Sequence, residues 1–392
     1  MTVHHRWTVV GLATSGGLLG LTVTSGLAVL ANRFIEEFSH PHIVLDNSVF
    51  VWKVPHPLNE PEPAYQRSLL FAASDGTILS GEFWAQEELA PTVILCHGYR
   101  TSRTHLRSVA TLNYACGYNV MLFDFRGHGN SDSVTTSGGK AEVRDLEAAI
   151  EVARRQPEAK AGQIILHGFS MGAAVALMMP LHPEVVAIIA DSPYASSEDI
   201  LRRLLAYRLE QESLTYLPAF RPHPHVYSVL AWSTLVFSMI LFRIRFGYGF
   251  VAHPPENFKR WREREDRLKR RVFVASIGRL VKRWTHQGES VPPLEQCNVP
   301  ILLIHARQDP LIPFSHAQTI AAAAKINHVP LETYFADCNV HCGVYGTNPA
   351  QYYRILHDFL AQALGPALPE KHGKIQTEYL PILLSPSDIL SQ

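Results

Sequence analysis

The sequence lacks an excess of charge of either sign: Lys and Arg together number 35 and Asp and Glu together number 35. A nucleic-acid partner is recognised by a basic surplus on one domain or face, so no nucleic-acid partner is expected from this balance. Cysteine is also scarce. The five that occur, Cys96, Cys116, Cys297, Cys338 and Cys342, are odd in number and irregularly scattered, which argues against a disulfide framework. Cys338, His341 and Cys342 have a faint zinc look but lack a clear fourth ligand, and His341 has a better use; no metal and no organic cofactor is expected. No internal repeat is visible. What remains is a chain of 392 residues with 47% hydrophobic residues, enough for one large domain plus accessory segments.

Charge is missing locally as well. Residues 9–31 contain no charged side chain, between Arg6 and Arg33, and a run of that length crosses a bilayer as a helix. Residues 1–33 are therefore expected to be a retained single-pass membrane anchor, with a cleaved signal ending at Val29-Leu30-Ala31 as the alternative. With one nearby cation on each flank, the side of the membrane is not written in the sequence. Residues 34–66, with prolines at 41, 55, 57, 61 and 63, read as an extended linker.

The globular pattern starts at Arg67. Strands are expected at 67–73 and 77–85, joined by a Ser74-Asp75-Gly76 turn, and buried strands at 92–96, 119–123, 163–169 and 185–190. Amphipathic helices are expected between them, one with Val143, Leu146, Ile150 and Ala153 on a single stripe. Alternation of this kind gives a mostly parallel, doubly wound α/β sheet covered on both faces. The pattern breaks after Pro193 and resumes at Ile301. The interval holds an uncharged aromatic run, Val226 to Phe242, read as a buried cap helix or else a surface-lying membrane contact. A stretch from Glu256 to Arg271 with more basic than acidic residues follows it, read as a solvated face that also suits anionic headgroups.

The chemistry centres on Gln163 to Gly172, an apolar run that ends in Gly168-Phe169-Ser170-Met171-Gly172. Gly-x-Ser-x-Gly at a strand-to-helix turn lifts the serine hydroxyl clear of the backbone, and Gly168 and Gly172 leave the room that the turn needs. The N–H of Met171 belongs to the first helical turn, so it has no helical partner and can face an oxyanion. A serine needs a base, and the base an acid. Asp309 lies in the loop after the strand 301–306, and His341 lies between the last strand and the last helix. The order Ser170, Asp309, His341 is the one a nucleophile elbow requires. Asp191 also ends a strand and is the second choice for the acid.

On these motifs, with His97-Gly98 and the loop Arg126-Gly127-His128-Gly129-Asn130-Ser131, the chain from about Arg67 to Leu364 resembles the α/β-hydrolase superfamily. Within it the chain is similar to membrane-anchored serine hydrolases of the esterase, monoacylglycerol-lipase and serine-aminopeptidase type. The resemblance implies an α/β-hydrolase core at 67–193 and 295–364, a cap or lid insertion at 194–294 and a C-terminal tail at 365–392. It implies Ser170 as nucleophile, His341 as general base and acid, and Asp309 as orienting acid. The Tyr99 N–H joins that of Met171 in the oxyanion hole, and His97 and Gly98 belong to the supporting loop. The Tyr99 side chain is expected to do no more than line the acyl pocket. The expected substrate is a small-molecule carboxylic ester or related acyl compound, lipid-like because anchor and cap together suggest a bilayer surface. A peptidase or thioesterase on the same triad, and a non-catalytic membrane scaffold, are the alternatives.

Overall fold

Ala90 to Cys96 is apolar at nearly every position, and such a strand is satisfied only where both of its faces are covered. In the computed structural model, which describes residues 24–41, 63, 65–179, 182–216, 222–260, 299–367 and 369, every residue of that strand is buried. The strands are β1 (Tyr65–Ala72), β2 (Ile78–Ala85), β3 (Ala90–Cys96), β4 (Asn119–Phe123), β5 (Ala159–Phe169), β6 (Val185–Asp191), β7 (Ile301–Ala306) and β8 (Leu331–Ala336). They form one eight-stranded sheet in the order β1-β2-β4-β3-β5-β6-β7-β8. β2 pairs antiparallel with β1 and β4, and all other pairs are parallel. The β1–β2 turn carries Gly76 at φ 87°, where a side chain would be strained.

The helices with eight or more described residues, in chain order, are α1 (residues 24–39), α2 (Arg107–Ala115), α3 (Glu142–Ala153), α4 (Met171–Met178), α5 (Ser197–Tyr216), α6 (Pro224–Phe246), α7 (Ser315–Ile326) and α8 (Pro349–Leu364). Their apolar stripes close the two faces of the sheet. Leu146, Ile150 and Ala153 of α3, the alanines of α4, and Ala317 and Ile320 of α7 fill one face. Val109 of α2 with Tyr352, Leu356 and Phe359 of α8 fill the other. The strand order reverses at β3, which lies between β4 and β5. In open α/β sheets, ligands bind at the carboxyl ends of the strands beside such a reversal.

The segment expected to be an extended linker is helical at its start. Residues 34–39, expected to be extended, complete α1. Ala31, Ile35 and Phe38 recur at helical spacing and are buried, the latter two in a cluster with Leu201, Leu235, Phe242 and Phe250. The prolines that suggested an extended chain begin only at Pro41. The sheet starts at Tyr65, two positions ahead of the expected Arg67. Residues 1–23, most of the linker, the stretch 261–298 with the greater part of the basic segment, and the tail from 370 lie outside the described residues.

The insertion between β6 and β7 contains α5 and α6, which pack on each other and on α1. Three ion pairs tie α1 to them, Arg33 with Glu212 at 3.2 Å, Glu37 with Arg208, and Glu36 with Arg245. Helix α6, for which a buried cap helix and a surface-lying membrane contact were both expected readings, is buried along one face only. Leu235 and Phe242 are buried, while Val229, Trp232, Ile240 and Ile244 form an exposed stripe along the other face. Hydropathy alone does not distinguish the two faces, because both are apolar.

Candidate active site

β5 ends at Phe169 and α4 starts at Met171, so a single residue, Ser170, makes the reversal at φ 52° and ψ −114°. A β-carbon on Gly172 would lie 2.2 Å from the Cys96 carbonyl oxygen, and one on Gly168 2.4 Å from the Gly172 oxygen. Glycine at 172 therefore lets the elbow press against β3, and glycine at 168 lets the end of β5 press against the first turn of α4. The Ser170 N–H donates to the Asp191 carbonyl at 2.9 Å, and the Ser170 carbonyl accepts from the Ala174 N–H at 3.0 Å. These bonds hold a strained residue in place.

The hydroxyl so presented is 2.9 Å from His341 Nε2. His341 Nδ1 is 2.7 Å from Asp309 Oδ2. Asp309 Oδ1 accepts from the N–H groups of Leu311 at 2.9 Å and Ile312 at 2.8 Å. All three side chains are buried. Burial by itself would raise the Asp309 carboxyl, but the hydrogen bond and charge of His341, with the two backbone donors, outweigh it and hold the group below the ordinary carboxylate value. With Asp309 ionised, His341 carries its proton on Nδ1 and turns the Nε2 lone pair to Ser170. Linked in this order, the groups can move the hydroxyl proton onto the imidazole.

Asp191 has other partners. Its Oδ1 accepts from the Ser192 hydroxyl at 2.8 Å and its Oδ2 from the Tyr352 hydroxyl at 3.1 Å, and Tyr352 in turn lies 3.0 Å from His167 Nε2. Burial pushes the Asp191 carboxyl up to about 6, against both hydroxyls, and pushes His167 down to about 3. His305 Nε2 donates to the Ile312 carbonyl at 2.9 Å, shaping the loop that carries Asp309.

On the far side of Ser170 lies the peptide between Gly98 and Tyr99. A β-carbon on Gly98 would touch the Ser170 β-carbon at 3.4 Å. His97 Nε2 accepts from the Phe125 N–H at 3.0 Å, which leaves its Nδ1 proton to donate to the Gly98 carbonyl at 2.7 Å. The Thr101 hydroxyl donates to the same oxygen at 2.8 Å. In a trans peptide the C=O and the following N–H point in opposite directions. Fixing the Gly98 oxygen therefore aims the Tyr99 N–H the other way. Among the described residues, no hydrogen bond uses the N–H of Tyr99 or of Met171. Burial lowers His97 strongly, with His128 adding to the effect, so His97 stays a neutral brace.

The Tyr99 side chain departs from the expectation that it lines an acyl pocket. Its hydroxyl donates to the Phe38 carbonyl at 2.8 Å and its ring stacks on that of Phe38. Sequence reasoning had no access to Thr101, Tyr352 or Phe38, which carry no motif of their own. Cys342 places its sulfur 3.5 Å from His341 Nε2; burial pushes its thiol well up, so it stays protonated and is no rival nucleophile.

The family model described as serine aminopeptidase, S33, matches residues 87–336, and the chain belongs to that family. It is a hydrolase with the α/β-hydrolase fold. The match ends before His341, which the fold brings to 2.9 Å from the Ser170 hydroxyl. The chain is 25% identical over 302 residues to the uncharacterized protein YqkD of Bacillus subtilis, covering 76% of this chain and 80% of that one. It is 26% identical over 191 residues to the uncharacterized protein YfhR of Escherichia coli K12, covering 44% of this chain and 66% of that one. Among solved structures it is similar in fold to the Pyrococcus furiosus esterase Pf2001, with a TM-score of 0.54 at 22% identity over 84% of this chain and 99% of that chain.

Proposed function

We propose that the protein is a serine hydrolase that cleaves carboxylic esters, lipid-like ones included, through an acyl-enzyme on Ser170. One observation carries this reading, the continuous relay from Asp309 through His341 to the Ser170 hydroxyl at 2.7 and 2.9 Å. His341 takes the Ser170 proton while Oγ bonds to the acyl carbon. The N–H groups of Tyr99 and Met171 receive the oxyanion. As the bond from carbon to the leaving oxygen breaks, His341 returns the proton to that oxygen. Water, deprotonated by the same imidazole, then hydrolyses the acyl-enzyme and frees Ser170.

A fluorophosphonate probe tests the nucleophile. The wild-type chain is expected to label and Ser170→Ala to stay blank; labelling that survives the substitution sinks the assignment. The family description favours a second reading, a peptidase on the same triad. Hydrolysis rates on p-nitrophenyl esters of rising chain length and on aminoacyl amides divide the two, and faster amide cleavage would establish the second.

We place the protein at a membrane through residues 1–33, with 194–294 as a cap over the site. The support is the uncharged run at residues 9–31 and the exposed apolar stripe of α6, of which Val229 lies beside α1. An apolar groove of about 640 Å³ lies between the two helices, lined by Leu27, Leu30, Val226, Val229 and Leu230. Membranes washed in alkaline carbonate are expected to retain the full chain. Its release into the supernatant would remove the anchor from the reading.

A further inference from the structure

We infer that α1 is a working part of the catalytic site: its last turn, through Phe38, positions the Tyr99 N–H that receives the oxyanion. The inference rests on the serine-hydrolase reading above and goes beyond it, since an anchor that only sets location needs no contact with the reacting groups.

Two sets of contacts hold the peptide between Gly98 and Tyr99. His97 and Thr101 orient the carbonyl end through the Gly98 oxygen. The Tyr99 end is held through its side chain, by a hydrogen bond of 2.8 Å to the Phe38 carbonyl and by a ring stack at 5.6 Å and 25°. Burial raises the Tyr99 phenol, which therefore stays protonated and remains a donor. The edge of His128 meets the Tyr99 ring at 5.8 Å, so the ring is held between the loop 126–131 and α1.

Phe38 is itself immobilised. It is 7% exposed, and a β-carbon on Gly138 would lie 2.6 Å from its Cζ, so glycine is what admits the ring there. Phe250 packs against it at 5.2 Å. One residue on, the carbonyl of the buried Ser39 accepts from the Thr136 N–H at 3.1 Å. The ion pairs of Glu36 and Glu37 with Arg245 and Arg208 are exposed and contribute little energy, but they set the rotation of the helix. The last turn of α1 thus contacts the cap, the loop 134–139 and the oxyanion loop together. Removing it leaves the Tyr99 ring without a partner on one side, and the Tyr99 N–H is then free to drift. A donor that has drifted stabilises the developing charge less while leaving substrate contacts intact.

The test uses the full chain in detergent, with a p-nitrophenyl ester and the matching thionoester. A thiocarbonyl sulfur is a weak acceptor, so its turnover depends little on the oxyanion donors. Tyr99→Phe deletes only the hydroxyl, and Phe38→Ala deletes only the ring. Each is expected to lower kcat on the oxygen ester roughly tenfold with KM within about twofold, and to reduce thionoester turnover less. The double variant is expected to fall short of the product of the two, because both act on one donor. Phe38→Leu is expected to recover part of the loss. Equal losses on both esters, or unchanged kcat in Tyr99→Phe, would overturn the inference. If Phe38→Ala does not fold, Tyr99→Phe decides alone. Failure of the underlying reading looks different: the wild-type chain is inactive, or Ser170→Ala still turns over.

Discussion

His341→Ala is expected to reduce kcat on a soluble ester by on the order of 10⁶, about as much as loss of the nucleophile itself, because the two groups act as a unit. The expectation follows from where the proton can go. The Ser170 hydroxyl is buried and His341 Nε2 lies 2.9 Å from it. The neighbouring imidazoles cannot substitute. The His97 Nε2 lone pair is occupied by the Phe125 N–H, and that of His128 by the Arg100 N–H. His167 Nδ1 has no hydrogen-bond partner among the described residues, but burial pushes the ring down to about 3, so it is a poor base. Initial rates with the product absorbance as readout decide the matter. A loss below about a hundredfold would mean that another base serves Ser170.

Much of the site was legible in the chain because its chemistry constrains residue type locally. The elbow tolerates only glycine at 168 and 172 for a reason of space, since their β-carbons would meet backbone within 2.4 Å. The stripe Leu146, Ile150 and Ala153 identified α3 because burial on one face imposes helical spacing. Other features depended on contacts that sequence does not encode locally. Asp191 ends β6 and Asp309 follows β7 by three residues, so both lie at the carboxyl ends of buried strands, and the direction of their carboxylates separates them. Phe38 stands 61 positions from Tyr99, in a segment whose later prolines concealed its helical spacing. The two faces of α6 are alike in hydropathy, so its packing depended on the position of α1.

The two carboxylates are separated by exchanging each for its amide. In Asp309→Asn the side-chain oxygen must stay where it accepts from Leu311 and Ile312, because an NH₂ group there would face two donors. The NH₂ group then faces His341 Nδ1, which must give up its proton and accept. The imidazole proton moves to Nε2, no lone pair faces Ser170, and kcat is expected to fall by about 10⁴ at neutral pH. Asp191→Asn meets two hydroxyls, Ser192 and Tyr352, each able to reverse its role, and its kcat is expected to stay within about tenfold of wild type. The stability signs are opposite as well. Asp309 lies below the ordinary carboxylate value, so its contribution is present above that value and is lost as pH falls through the depressed one. Asp191 is raised to about 6, so its burial costs stability increasingly as pH rises from the ordinary value through about 6. Relative to wild type, the melting temperature of Asp191→Asn should therefore climb across that window, while that of Asp309→Asn should drop as pH leaves the acid range. If Asp191→Asn instead shows the larger loss of kcat, the acid that serves His341 is Asp191, and the relay must be redrawn through Tyr352 and the β6 end of the sheet.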